Sequence, residues 1–183
     1  WPESEIMEYP LTPDEQAEID RAAANARQAD VAVVVLGGGQ RTCGENKSRT
    51  SLELPGHQLK LLQAVQATGK PVILILINGR PLSVNWADKF VPAILEAWYP
   101  GAEGGTALAD ILFGKVSPSG KLPVTFYYDT DDLPEFTDYS MENRTYRYMK
   151  KEALYPFGFG LTYGDVFAEA AEFTEKPQKH KNL

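Results

Sequence analysis

Val31-Ala-Val-Val-Val-Leu36 runs directly into Gly37-Gly-Gly-Gln-Arg-Thr-Cys-Gly-Glu45-Asn-Lys-Ser-Arg49-Thr50, and the fold is decided at that junction. The apolar run is too short for a buried helix and lacks the alternation of a half-exposed strand, so it predicts a strand covered on both faces, as in a parallel sheet. A parallel strand that ends in glycines opens its loop at the carboxyl edge of the sheet, where open α/β folds bind ligands. Glu45 lies in that loop.

Working outward, Thr12-Pro-Asp-Glu15 is a capping box with proline at the first helical position. Ile19, Ala22, Ala23 and Ala26 then recur on one face and predict a helix over about 13 to 28. Leu54-Pro-Gly is read as opening a second helix, with Leu61, Leu62 and Val65 inward and Thr68-Gly69-Lys-Pro as its stop. Val72 to Ile77 repeats the buried-strand signature. A weaker helical segment follows near 82 to 89, then a third strand from Ala93 to Trp98. A helix carrying Ala107, Leu108, Ile111 and Leu112 stops at Gly114, and Leu122 to Phe126 is read as a fourth strand.

Strands alternating with helices across short turns predict an α/β fold, a flavodoxin-like three-layer α/β/α sandwich with a mostly parallel sheet of about five or six strands. The loops starting at Gly37, Asn78 and Tyr99 should then converge on one edge. The sandwich is expected over residues 1–167, with 168–183 as a flexible tail.

With 183 residues and a net charge of −7, the chain is large enough for one sizeable core and poorly suited to nucleic acid or anionic membranes. Its only basic run is Lys176-Pro-Gln-Lys-His-Lys. No apolar stretch approaches the roughly 20 residues of a membrane span, and the amino end lacks the basic and apolar parts of a signal peptide, so a soluble chain is expected. One cysteine, Cys43, and two distant histidines, His57 and His180, offer no internal disulfide and no metal-ligand spacing. No metal or other cofactor is expected. Asn46-Lys-Ser and Asn143-Arg-Thr are glycosylation triplets, a pattern that also arises by chance.

Gly37-Gly-Gly suggests a phosphate loop, but the dinucleotide fingerprint needs its third glycine where Thr42 stands, and no Walker lysine follows. Gly101-Ala-Glu-Gly-Gly105 precedes a helix, where free amides could hold an anion or a tight turn could simply join strand to helix. No Gly-x-Ser-x-Gly elbow appears, and His57, at the start of a helix, is expected to be solvated. Glu45 shares its loop with Arg41, Lys47 and Arg49, cations that could tune a carboxylate in a partly closed site. The same charges also suit an ordinary solvated loop.

Five ordered motifs carry a resemblance. They are Gly44-Glu45-Asn-Lys-Ser-Arg49-Thr-Ser-Leu-Glu-Leu-Pro-Gly-His-Gln58, Gly69-Lys-Pro-Val-Ile-Leu-Ile-Leu-Ile-Asn-Gly-Arg-Pro81, Trp98-Tyr-Pro-Gly-Ala-Glu-Gly-Gly105, Leu112-Phe-Gly-Lys-Val-Ser-Pro-Ser-Gly-Lys-Leu-Pro123 and Leu154-Tyr-Pro-Phe-Gly-Phe-Gly-Leu-Thr-Tyr163. Together, over about residues 12 to 167, they resemble the C-terminal α/β sandwich domain of family 3 glycoside hydrolases.

That resemblance implies a retaining β-glucosidase or β-xylosidase whose site lies between two domains. A TIM-like barrel would supply an aspartate nucleophile, and a sandwich-loop glutamate, here Glu45, would serve as general acid/base on a β-linked glucoside or xyloside. Many members carry a glutamate directly after the first-strand glycine, where this chain has Gly38. No Ser-Asp-Trp-like nucleophile motif occurs, and Asp129, Asp131 and Asp132 read as turn residues. The aromatic segment Asp138-Tyr-Ser-Met-Glu-Asn-Arg-Thr-Tyr-Arg-Tyr148 resembles one that reaches toward the site in some members. Arg144, Tyr146 and Arg147, with Arg41 and Arg49, are therefore candidate substrate contacts. The isolated domain would be inactive, with an exposed interface favouring self-association. A stand-alone sugar- or protein-binding module and a flavodoxin-like ligand-binding domain are the alternatives.

Overall fold

The computed structural model describes residues 9–39, 42–165 and 169–171. The expected flexible tail lies almost wholly outside them.

Helix α1 (Pro13–Gln28) begins as its sequence predicts. Glu15 N–H donates to the Thr12 hydroxyl while the Glu15 carboxylate accepts from Thr12 N–H, completing the capping box. The chain then passes through β1 (Ala32–Gly37), α2 (Gln58–Gln66), β2 (Val72–Ile77), α3 (Asn85–Phe90), β3 (Ala93–Glu96) and α4 (Gly104–Leu112). The strands form one parallel sheet in the order β1-β2-β3, with Val34 opposite Leu74 and Leu74 opposite Ile94. This is the expected α/β class, built from parallel strands joined through helices.

Two successive crossovers in the same direction put α2 and α3 on the same face of the sheet. The packing agrees: Leu62 and Val65 of α2, Ala87 of α3 and Ala26 of α1 join Leu36, Val72, Leu74 and Leu76 in one buried cluster. Leu108, Ile111 and Leu112 of α4 stand apart from it and are only partly buried. Burial of this kind, at roughly 25 cal/mol per Å² of apolar surface, is the main favourable contribution to the fold.

The opposite face corrects one expectation. Val31, Val33 and Val35 are 45%, 49% and 54% exposed, so β1 is covered on one face only. An apolar run reports that both faces avoid water, but not which element covers them. In this chain the crossovers commit α2 and α3 to the other side.

The sheet has three strands among the described residues, against the expected five or six. Leu122 to Phe126 is not one of them. Pro123 lacks the N–H that a ladder requires, and the segment pairs instead with the chain near 155–159. Leu122 N–H donates to Phe159 O at 2.8 Å, Gly158 N–H to Leu122 O at 2.8 Å and Phe126 N–H to Tyr155 O at 2.9 Å. Phe126, almost fully buried, meets the rings of Trp98 and Tyr155 edge to face. Two of the five sequence motifs thus clasp each other, and Ser83 and Asn85 tie the clasp to the start of α3 through the carbonyls of Tyr127 and Tyr128.

Three boundaries also move. Helix α2 starts at Gln58 because Gly56, at φ 55°, is left-handed and Pro55 closes a turn onto Gln58 N–H. Helix α3 starts at Asn85, and Leu82, Ser83 and Val84 are buried ahead of it outside the helix, Val84 at φ −105° and ψ 39°. Strand β3 ends at Glu96 because Trp98 adopts φ 51°. His57 is not solvated: its side chain is 11% exposed, packed edge to face on Tyr9 with the ring centroids 4.6 Å apart. The aspartates behave as expected, with the Asp129 carboxylate capping the 3₁₀ turn Thr130–Asp132.

Candidate functional site

The site begins where β1 meets β2. Gly37 has φ 134°, and a Cβ there would lie 2.1 Å from Ile77 O, so only glycine lets the strand end pass so close to its neighbour. The Gln58 side-chain amide then pairs with both backbone groups of Gly37. Gly37 N–H donates to Gln58 Oε1 at 2.8 Å, and Gln58 Nε2 donates to Gly37 O at 2.8 Å. The start of α2 thereby fixes the point from which the loop departs.

The loop itself is two turns in series. In the first, Thr42 N–H and Cys43 N–H donate to Gly39 O at 3.0 and 2.9 Å, and Gly39 N–H donates to the buried Thr42 hydroxyl. In the second, Lys47 N–H donates to Gly44 O at 3.2 Å. Gly44 at φ 143° and Asn46 at φ 59° flank Glu45, which is exposed at the tip. A left-handed residue on each side turns the chain sharply, leaving the Glu45 carboxylate directed by its loop rather than by a regular element.

The loops after β1, β2 and β3 do converge. The Cys43 thiol lies within hydrogen-bonding reach of Tyr99, Arg80 and Gly79 N–H. Burial pushes this thiol up, but those donors outweigh it and leave it below its ordinary value. Arg80 Nη2 also donates to Lys47 O, and Arg80 N–H donates to Asn78 Oδ1 at 2.9 Å. Asn78, 1% exposed, turns its amide nitrogen to Glu96, at 3.1 and 3.2 Å from the two carboxylate oxygens. Glu96 Oε1 also accepts from Trp98 N–H at 3.0 Å, which holds the left-handed bend at Trp98. Burial raises the Glu96 carboxyl to about 7 despite these hydrogen bonds.

Arg49, a candidate contact, is engaged by its own loop, its guanidinium donating to Glu53 O. Arg41 lies outside the described residues. Arg144 holds Asp138 O within the aromatic segment, and Tyr146 stacks on Phe157 at 4.4 Å. Arg147 is exposed. Beyond the Glu45 loop, Leu52 N–H donates to Oγ1 of Thr130, in the 3₁₀ turn ahead of the aromatic segment, at 3.0 Å. A cleft of about 270 Å³ lies further along the aromatic segment, between Asp132, Asp138, Glu142, Lys150 and Lys151. Gly101 to Gly104 forms a tight turn into α4, with Gly104 N–H donating to Gly101 O and Gly104 pressed against Pro100.

Sequence reasoning placed the loops starting at Asn78 and Tyr99 on this edge but missed Arg80 and Glu96 as members of it. A usable signal was present, because Asn78 and Glu96 are polar residues at the carboxyl ends of otherwise apolar strands. Among the described residues no group of three or more His, Cys, Asp and Glu could hold a metal ion, and no helix is long and apolar enough to cross a membrane.

A parallel α/β sheet with a carboxylate loop at its carboxyl edge defines the class. Residues 3–163 match the Glycosyl hydrolase family 3 C-terminal domain, and the chain belongs to that family. It is 44% identical over 147 residues to a β-xylosidase of Formosa agariphila, covering 78% of this chain and 20% of that protein. It is likewise 44% identical over 160 residues to a periplasmic β-glucosidase of Salmonella typhimurium, covering 81% and 21%. Among solved structures, β-glucosidase from Kluyveromyces marxianus in complex with glucose superposes with a TM-score of 0.74 at 31% identity, over 83% of this chain and 20% of that one. The chain spans about a fifth of the length of these relatives.

Proposed function

We propose that this chain is the sandwich half of a retaining β-glycosidase site, in which Glu45 is the general acid/base and a TIM-like barrel, in cis or in trans, supplies the nucleophile. The observation that carries the reading is the exposed Glu45 carboxylate at the tip of a loop built from the carboxyl edge of the sheet, in a chain similar to β-xylosidases and β-glucosidases. A retaining mechanism needs two carboxyl groups about 5 to 5.5 Å apart. An acid/base held on one domain must therefore project beyond it, and a loop tip does so.

In this mechanism Glu45 protonates the departing glycosidic oxygen, then removes a proton from the water that hydrolyses the glycosyl-enzyme. The substrates are β-linked glucosides or xylosides. Arg41, Arg49, Arg144, Tyr146 and Arg147 are the candidate substrate contacts, with Arg49 and Arg144 each giving one guanidinium nitrogen to a backbone carbonyl. The exposed valine face of β1 is available to a partner domain, and in the isolated chain it favours self-association.

Aryl β-glucosides and β-xylosides assayed with this chain alone, and again with a barrel domain added or fused, test the reading. Turnover is expected only with the barrel, and turnover by the chain alone overturns the split site. In the assembled enzyme Glu45→Ala should spare substrates with good leaving groups and be rescued by azide, whereas uniform loss without rescue overturns the role of Glu45. Sugar binding without turnover in any assembly would indicate a non-catalytic module, and FMN binding a flavodoxin-like one.

A further inference from the structure

We propose that Arg80 is the positioning residue of the Glu45 loop, a role that rests on the reading of Glu45 as the acid/base. The loop consists of two hydrogen-bonded turns meeting at Gly44, whose φ of 143° makes that junction a natural hinge. Glu45 rides on the second turn. Hydrogen bonds inside each turn set the shape of that turn but leave the angle between the two open.

Arg80 spans the hinge. Its guanidinium donates to the carbonyl of Lys47, two residues after Glu45, and lies within hydrogen-bonding reach of the Cys43 thiol, two residues before it. A planar guanidinium carries several donors in fixed directions, so simultaneous contact with both turns fixes their relative orientation. Lysine has a single nitrogen and can satisfy only one side fully.

Arg80 is itself well placed for this. It follows Asn78 and Gly79 directly after the central strand β2, and its N–H donates to Asn78 Oδ1. The amide nitrogen of Asn78 is held by the Glu96 carboxylate at the end of β3. The direction of Glu45 is therefore set from the rigid sheet through Glu96, Asn78 and Arg80. Displacement of a reacting group by about 1 Å can cost on the order of 10²-fold in rate, so such bracing has catalytic consequence.

The test has two arms. In this chain, Arg80→Ala should raise amide hydrogen exchange at residues 44–47 by about tenfold or more while the thermal midpoint and exchange in β2 stay unchanged. Unchanged exchange at Lys47 overturns the proposal. In the enzyme assembled with its barrel, Arg80→Ala should lower kcat on alkyl glycosides, which have poor leaving groups, by on the order of 10²-fold. KM should barely move, dinitrophenyl glycosides should lose only a few fold, and Arg80→Lys should recover part of the loss. Equal losses on both substrate types overturn the proposal. A Glu45→Ala enzyme tests the underlying assignment separately. If that variant discriminates no further against poor leaving groups, the acid/base reading fails, while the exchange arm still decides whether Arg80 holds the loop.

Discussion

The side chain of Asn78 bridges the ends of two strands, its amide nitrogen 3.1 and 3.2 Å from the oxygens of Glu96 and its carbonyl accepting from Arg80 N–H. Glu96 is thus a carboxyl with good donors in an apolar setting, and burial outweighs those donors to raise it from 4.5 to about 7. A carboxyl raised in the folded state binds its proton more tightly there than in the unfolded chain. Its contribution to stability is therefore complete below pH 4.5 and is lost as pH rises through about 7.

Glu96→Gln removes that titration while keeping an oxygen acceptor. In urea unfolding, the stability difference between the two proteins should shift toward the Gln variant by about 1 to 2 kcal/mol from pH 4.5 to pH 8, a figure discounted from full linkage because the carboxyl is partly solvated. A difference independent of pH would show that Glu96 titrates normally.

Gly37→Ala should be among the most damaging substitutions in the sheet. Its Cβ would meet Ile77 O at 2.1 Å, and its φ of 134° is foreign to alanine. Neither β1 nor β2 can move apart without breaking the ladder that pairs them. A loss of about 3 kcal/mol or more is expected in chemical denaturation. A Gly39→Ala control, with no atom within 4 Å of its added methyl group, should cost far less.

Gln58→Ala should cost about 1 to 3 kcal/mol, because it leaves both the N–H and the carbonyl of Gly37 without their partner. Gln58→Glu separates the two bonds. At neutral pH the carboxylate still accepts from Gly37 N–H but opposes Gly37 O, so this variant should also be destabilised and should recover as the carboxyl is protonated at low pH.

The elements that could be read from sequence are those specified locally. Thr12 and Glu15 mark the start of α1 within one turn of chain, and the apolar run Val72 to Ile77 matches β2 because that strand is central. Elements that depend on distant partners read less well. Leu122 to Phe126 has the composition of a strand but pairs with a segment near 155–159, and Val33 and Val35 look buried in a list of residues yet face outward. The same division holds at the site. Glu45 stood out through its motif, whereas the Asn78, Glu96 and Arg80 chain exists only once β2 and β3 lie side by side.

The uncovered valines supply the last prediction. Val33 and Val35 project from the same face as Ile73 and Ile75, their partners in register, and both are about half exposed. Adjacent apolar side chains on an edge strand favour association, because the edge also offers unpaired backbone groups and burying the patch removes apolar surface from water. The isolated chain should therefore show concentration-dependent association in sedimentation velocity. Val33→Lys with Val35→Lys should shift it toward monomer, since a charge on each of two neighbouring same-face positions opposes both stacking and edge pairing. Because these side chains already touch water, the double variant should lose less stability than Leu74→Ala, whose side chain is fully buried and whose truncation should cost about 2 to 5 kcal/mol. If the double variant associates as strongly as the parent, self-association does not run through this face.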